Sequence, residues 1–195
     1  MRIIAGAHKG AKLISPSGAN TRPTSDRVKE SLFSMLDGYG VLQAANVLDL
    51  FAGSGGLGFE AMSRGAAQVD FVDSSLAATR ALESNADKLG LDHSAEVHTG
   101  DVLHYLAGLP GQDDPEARIF DLVFMDPPYP LGEDAVTQTL RRLSGHLDLE
   151  PTVVVERAAR SREPPMPDGL EVFRAKTFGE TAIHFVQLVG EPDVD

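Results

Sequence analysis

From Asn46 onward the chain alternates short apolar runs with stretches of helical periodicity, and few architectures accept that order. The runs are Val47-Leu48-Asp49-Leu50-Phe51, Val69-Asp70-Phe71-Val72-Asp73, residues 95–98, Asp121-Leu122-Val123-Phe124-Met125 and Thr152-Val153-Val154-Val155-Glu156. Between them Ala78, Leu82, Ala86 and Leu89 recur at helical spacing, as do Val136, Leu140, Leu143 and Leu147. Strands alternating with helices read as a parallel sheet covered by helices on both faces. Two more strands are expected near residues 170–176 and 181–189. The Gly179-Glu180 pair between them suits a hairpin, hence an antiparallel edge. The expectation is an α/β, Rossmann-like fold: a mostly parallel seven-stranded sheet with an antiparallel C-terminal hairpin over residues 46–190, then a tail at 191–195.

Residues 1–45 stand outside that alternation and are read as a small hairpin and helix. Ile3-Ile4 and Lys12-Leu13-Ile14 pair around Gly6 and Gly10, and Thr24-Ser25-Asp26 opens a helix whose apolar stripe is Val28, Leu32, Met35 and Leu36. This segment is basic in an acidic chain. Residues 1–30 hold Arg2, Lys9, Lys12, Arg22, Arg27 and Lys29 against Asp26 and Glu30, a balance of +4 within a formal net charge of −12. An acidic body discourages indiscriminate binding to phosphate backbones, while a basic arm can still dock one target. With 195 residues, one domain is the natural size. No apolar run approaches the roughly 18 residues that span a bilayer, and the amino terminus lacks the apolar stretch of a signal peptide. The chain has no cysteine for a disulfide or thiolate site. Cytoplasm is the expected compartment.

After the first expected strand comes Ala52-Gly53-Ser54-Gly55-Gly56-Leu57-Gly58, in which Gly53, Gly55 and Gly58 satisfy G-x-G-x-x-G. Such glycines permit a tight turn and let a ligand approach the backbone near a helix start. Asp73, ending the second strand, is suited to accept hydrogen bonds from both ribose hydroxyls. A nicotinamide dinucleotide is one candidate. Two residues favour S-adenosylmethionine instead. Asp49 lies inside the first strand, where a buried carboxylate is costly without a partner. It would suit the cationic methionine end of that cofactor and repel a pyrophosphate. After the third strand, Asp101 can accept an adenine amino group and Val102 can pack on the ring.

Asp126-Pro127-Pro128-Tyr129 closes the fourth strand and is the most specific signal in the chain. Two prolines donate no backbone hydrogen bonds and hold the chain extended, which fixes the direction of its carbonyls. An exocyclic amine is a poor nucleophile because its lone pair is delocalised into the ring. If the Asp126 carboxylate and the Pro127 carbonyl each accept one N–H, the lone pair can be turned toward a methyl donor. Tyr129 offers a face on which an extruded base can stack. Neither a metal nor a covalent intermediate is required, and His93, His98, His104, His146 and His184 lie scattered without metal-ligand spacing.

Arg2-Ile3-Ile4-Ala5-Gly6, Arg22-Pro23-Thr24, the segment from Arg27 to Phe33, Leu48 to Gly55, Phe71-Val72-Asp73 and Asp126-Pro127-Pro128-Tyr129 together resemble the RsmD-type 16S rRNA guanine-N2 methyltransferases. The resemblance covers nearly the whole chain up to about Val189. It implies the class I S-adenosylmethionine-dependent methyltransferase fold and a guanine of small-subunit rRNA as target, in an assembled or assembling 30S particle. It also implies cofactor contacts from Asp49, Phe51, Gly53, Ser54, Gly55, Asp73, Ser74, Asp101, Val102 and Asp126. RNA contacts are expected from Arg2, His8, Lys9, Lys12, Arg22, Arg27 and Lys29. Arg27 falls in the first turn of its helix, where the dipole disfavours a cation by roughly 0.3–1 kcal/mol, a conflict a phosphate would relieve.

An adenine-N6 or protein-glutamine methyltransferase would share the Asp-Pro-Pro-Tyr chemistry, and a nicotinamide-dependent oxidoreductase or dinucleotide-binding module is the alternative of another class. Amino-methylating DNA enzymes usually add a target-recognition domain, for which this length leaves no residues. The acidic loop at 108–118 reads as a plain surface insertion. Residues 157–169, with three arginines and three prolines after a strand's carboxyl end, are a candidate for substrate contact. No apolar stripe is left over, so a monomer is expected.

Overall fold

The computed structural model describes residues 1–16, 26–128, 131–161 and 163–190. Strands β1 (Asn46–Leu50), β2 (Gln68–Asp73), β3 (Ala95–Thr99), β4 (Phe120–Met125), β5 (Leu147–Ala158), β6 (Leu170–Phe178) and β7 (Thr181–Leu188) form one sheet in the order β3-β2-β1-β4-β5-β7-β6. The first five pair in parallel. Only β7 among the described strands runs against its neighbours, β5 and β6. The Gly179 turn, at φ 59°, joins the hairpin as expected, and its returning strand inserts between β5 and the outer strand β6. Burial explains the order. Ile183 and Phe185 of β7 are fully buried, whereas β6 is exposed over most of its length and carries Arg174 and Lys176, charges that discourage edge-to-edge pairing.

Helices α1 (Asp26–Tyr39), α2 (Gly58–Ser63), α3 (Leu76–Leu89), α4 (Val102–Gly108) and α5 (Glu133–Leu143) cover the sheet. Because side chains alternate across a strand, a continuous apolar run serves both faces. Val47, Phe71, Leu122, Phe124 and Val154 pack with Ile3, Leu13 and the α1 residues Leu32, Phe33 and Leu36. Leu48, Leu50, Val72, Val123, Met125 and Val155 pack with Leu106 of α4 and Val136 and Leu140 of α5. The chain winds outward from β1 to β3 and then from β4 toward the other edge. The strand order therefore reverses between β1 and β4, and in such sheets the crevice at the carboxyl ends of those strands takes ligands.

The amino-terminal segment is stitched to the sheet domain rather than laid upon it. Arg2 and Lys12 form an antiparallel bridge, and Ile3 and Leu13 enter the core. Glu60, fully buried in α2, accepts the N–H groups of Ile4 (2.7 Å) and Ala5 (3.0 Å) and the Arg64 Nε (2.9 Å). Gly6 lies so close to α2 that a Cβ there would fall 1.7 Å from the Ser63 carbonyl oxygen. Lys29, expected at an RNA surface, is instead 1% exposed. Its Nζ pairs with Glu60 at 3.2 Å and donates to the carbonyls of Arg2 (2.6 Å) and Gly56 (3.4 Å). The cause is its place on the helix, one turn before Leu32 and Phe33 and two before Leu36, which puts it on the apolar stripe. Thr24 and Ser25, the expected start of α1, lie outside the described residues.

The loop at 108–118 is more than a surface insertion at its end. Arg118 Nη1 reaches both oxygens of the buried Asp70 (2.7 and 2.8 Å), and its Nη2 donates to Glu96. His98 approaches the same Asp70 at 3.3 Å, so two carboxylates and an imidazole, apart in sequence, converge around a guanidinium that supplies the cation.

Candidate active site

Four carboxylates gather at the crevice where the strand order reverses. The register aligns Leu50 with Met125 and Met125 with Val155, so Asp126 and Glu156 each follow an aligned pair on adjacent strands. Both share the sheet face of Phe124 and Val154, toward α1. Asp49, on β1, is 2% exposed and accepts the Gly58 N–H at 2.9 Å. Asp73, ending β2, takes the N–H groups of Gly53 (2.9 Å) and Ser75 (2.8 Å) on its two oxygens.

Crowded acids resist ionisation. Burial lifts the Asp49 carboxyl well above its ordinary range, with Asp126 and Asp73 adding like charge, while the Gly58 N–H works against the rise. Burial first and the Glu156 charge second push Asp126 up to about 8. A cation brought to this crevice would favour ionisation of Asp49 and Asp126 and be stabilised by them in turn, whereas a pyrophosphate would gain nothing from crowded acids.

The glycine loop bends sharply after β1, leaving Phe51 to Ser54 half-buried and Gly55 to Gly58 buried. Phe51, Gly53 and Gly55 have φ of 59°, 57° and 76°, and Phe51, not being glycine, stores strain there. A Cβ at Gly53 or Gly100 would meet no atom within 4 Å, so the chain at both points borders open space. A Cβ at Gly58 would fall 2.3 Å from the Phe71 ring, which fixes that glycine by packing. Ser54 is held from behind: the buried Asn85 donates to its carbonyl (3.2 Å) and exchanges two further bonds with Ile14. Ser74 is exposed beside Asp73. With α2 only six residues long, it is the loop and its acids that shape this site, more than a helix dipole.

Asp101 is exposed, and one of its oxygens caps α4 by accepting the His104 N–H at 3.0 Å, leaving the other for a ligand. Val102 departs from expectation. It is 4% exposed and belongs to the core between the sheet and α4, so its face is covered by protein. Leu76, opening α3 just after Asp73, is 55% exposed and offers the apolar surface that Val102 does not. Its position in the first turn of an amphipathic helix, off the stripe of Ala78, Leu82 and Ala86, was the available signal.

Pro127 is buried and Pro128 exposed, and the Pro128 carbonyl accepts the Leu131 N–H at 2.8 Å. Tyr129 lies outside the described residues, as does Arg22. Of the other basic candidates, Lys9, Lys12 and Arg27 are exposed and His8 half-buried, while Arg2 is exposed and paired with Asp26 at 2.9 Å. Lys88, which composition alone did not single out, joins them by donating to the Lys12 carbonyl at 2.7 Å. In the loop at 157–169, Arg157 turns inward to the Leu131 carbonyl (3.4 Å) and Glu133 (3.5 Å), with its side chain 9% exposed. It braces the chain after the prolines instead of facing outward.

The family described as conserved hypothetical protein 95 matches residues 1–187. Ribosomal RNA small subunit methyltransferase D of Escherichia coli (strain K12) is 35% identical over 199 residues, covering 100% of this chain and 94% of that protein. A solved structure of the candidate methyltransferase yhhF from Escherichia coli superposes with a TM-score of 0.81 at 33% identity, covering 96% of this chain and 97% of that one. The magnesium protoporphyrin IX methyltransferase of Synechocystis, solved with bound S-adenosylmethionine, shares the fold at 17% identity and a TM-score of 0.63, covering 84% of this chain and 79% of that one.

Proposed function

The chain belongs to the conserved hypothetical protein 95 family, that of the ribosomal RNA small subunit methyltransferases D, and from that premise we propose that it methylates the exocyclic N2 of one guanine in 16S rRNA, using S-adenosylmethionine and acting in the cytoplasm as a monomer on the 30S particle. The observation that carries the proposal is the Asp126-Pro127-Pro128 turn at the tip of β4, set in the same acidic crevice as Asp49 and the glycine loop.

The residues present fit the cofactor. Asp73 retains lone pairs for two ribose hydroxyls beyond the two N–H groups it accepts. The second oxygen of Asp101 suits the adenine amine and Leu76 the ring. Phe51, Gly53, Ser54 and Ser74, half-buried or exposed between them, would contact the cofactor along its length, with Gly55 buried behind. When bound, S-adenosylmethionine supplies an electrophilic methyl carbon on a cationic sulfonium. The four carboxylates favour that cation over the pyrophosphate of a nicotinamide dinucleotide, which argues against the oxidoreductase alternative. Saturating S-adenosylhomocysteine should therefore raise the melting temperature, and NAD should not. Stabilisation by NAD alone would refute this assignment.

On the acceptor side, the Asp126 carboxyl and the Pro127 carbonyl would take the two N–H bonds of the amine. This draws the lone pair out of conjugation and aims it at the methyl carbon. Orientation of this kind is a major source of rate. Tyr129 would stack on the extruded base. Arg157 keeps the turn in place through Leu131.

Lys9, Lys12, Arg27 and Arg2, with His8 and Arg22, form the proposed RNA-facing arm. Charge reversal at Lys9 and Lys12 together should weaken RNA binding. The slope of log affinity against log salt should shrink by about one for each phosphate the arm no longer neutralises. An unchanged slope would remove the arm from the interface. The decisive experiment supplies labelled S-adenosylmethionine with 30S particles, protein-free 16S rRNA and DNA from a strain lacking the enzyme. Recovery of 2-methylguanosine from the rRNA is the expected result. Recovery of 6-methyladenosine, or label in DNA alone, would overturn it.

A further inference from the structure

The Asp126 carboxyl and the Pro127 carbonyl would grip an amino group without regard to the ring that bears it. Adenine, cytosine and guanine all carry such an amine, so something else at the crevice must discriminate. What differs is the neighbouring ring atom. In adenine and cytosine the amine adjoins a ring nitrogen with a lone pair. In guanine the 2-amino group adjoins N1–H, a second donor.

Glu156 has no part in gripping the amine, yet it stands beside the residue that does. Met125 of β4 aligns with Val155 of β5, so Asp126 and Glu156 occupy equivalent positions one residue further along adjacent strands. Adjacent strands lie about 4.8 Å apart, alternation along each chain puts Asp126 and Glu156 on the face of Phe124 and Val154, and the two are close enough for the Glu156 charge to act on Asp126. Glu156 is half-buried at the carboxyl end of β5, and its backbone is fixed on the far side by pairing with Ile183. Two acceptors are thus held side by side at the mouth of one crevice.

We infer that Glu156 is the base-reading residue of this site, accepting the guanine N1–H while Asp126 accepts a hydrogen of the adjoining 2-amino group. The inference rests on the proposed guanine-N2 activity. Flipped bases are commonly read at their Watson–Crick edge, and a carboxylate is suited to an edge that presents two neighbouring donors. The same carboxylate faces a lone pair when adenine or cytosine enters, which excludes those bases by repulsion.

The test replaces the methylated guanine of 16S rRNA, located first by nucleoside analysis, with 2-aminopurine. That base keeps the 2-amino group and has a lone pair at N1. The wild-type enzyme should prefer guanine by on the order of 100-fold or more in kcat/KM, as expected when a site's acceptor loses its donor. Glu156→Gln, whose amide can donate to N1, should compress the preference to below about tenfold by losing on guanine and gaining on 2-aminopurine. Glu156→Asp should retain it. Each variant's folding is checked through its melting shift with S-adenosylhomocysteine. A Glu156→Gln enzyme with the wild-type preference would overturn the inference. So would a wild-type enzyme that accepts 2-aminopurine as readily as guanine, a result independent of any variant. If nucleoside analysis instead returns another methylated base, the guanine-N2 activity itself fails, which is a distinguishable outcome.

Discussion

Asp126→Ala is expected to lower kcat by about 10²–10³-fold, the loss typical of one transition-state hydrogen-bond partner, while S-adenosylhomocysteine still binds. The same substitution should make the free protein more stable. Asp126 titrates near 8 in the folded protein against an ordinary 3.8, so the folded state binds the proton more tightly than the unfolded chain. In that window the folded state holds more protons, and stability falls as pH rises from about 4 to about 8. Each tenfold difference in proton affinity corresponds to about 1.4 kcal/mol. Removing the carboxyl should therefore raise stability at pH 7 by roughly 2–4 kcal/mol once lost packing is deducted. The gain should disappear by about pH 4. Melting curves across that range, beside single-turnover rates, check both halves. A variant equally inactive but destabilised at every pH would mean that Asp126 acts structurally. An acid buried beside other acids is strained until a positive charge arrives.

Glu60→Ala should be the most damaging change away from the crevice. Glu60 and Lys29 are 0% and 1% exposed, and deleting one member of a buried pair leaves the other charge uncompensated. Such losses run to about 3–5 kcal/mol. In a domain of this size that corresponds to a melting temperature lower by about 6–20 °C. Glu60 also receives Ile4, Ala5 and Arg64, so the hairpin should loosen with it. Combining Lys29→Met with Glu60→Gln should recover part of the loss, because it removes both charges of the pair while the amide oxygen still accepts one of the two hairpin N–H groups. A drop of less than about 1 kcal/mol for Glu60→Ala would show that the pair contributes little.

Local chemistry explains which features are legible in the chain. The alternation from Asn46 prescribes the sheet because a strand buried on both faces must be apolar throughout, and β1, β2, β4 and β5 are largely so. The hairpin turn at Gly179 is legible because the geometry needs a residue at positive φ. Lys29 misleads because its charge suggests a surface while its position does not. Its spacing from Leu32, Phe33 and Leu36 marks the buried stripe, but the partner that makes burial tolerable, Glu60, is 31 residues away. The value of Glu156 likewise depends on strand register, which no single strand reveals. Val102 and Leu76 exchange exposure for a similar reason: α4 packs its first residue on the sheet, whereas α3 presents its first residue outward.

Asn85 joins the first segment of the chain to the loop after β1: its amide serves Ile14 and Ser54 together. Ile14 waits 71 residues for that partner, and Ile4 waits 56 for Glu60. During synthesis the opening residues therefore leave the ribosome long before anything exists to receive them. Their docking is a late event, and the glycine loop after β1 gains its backing only once α3 has emerged.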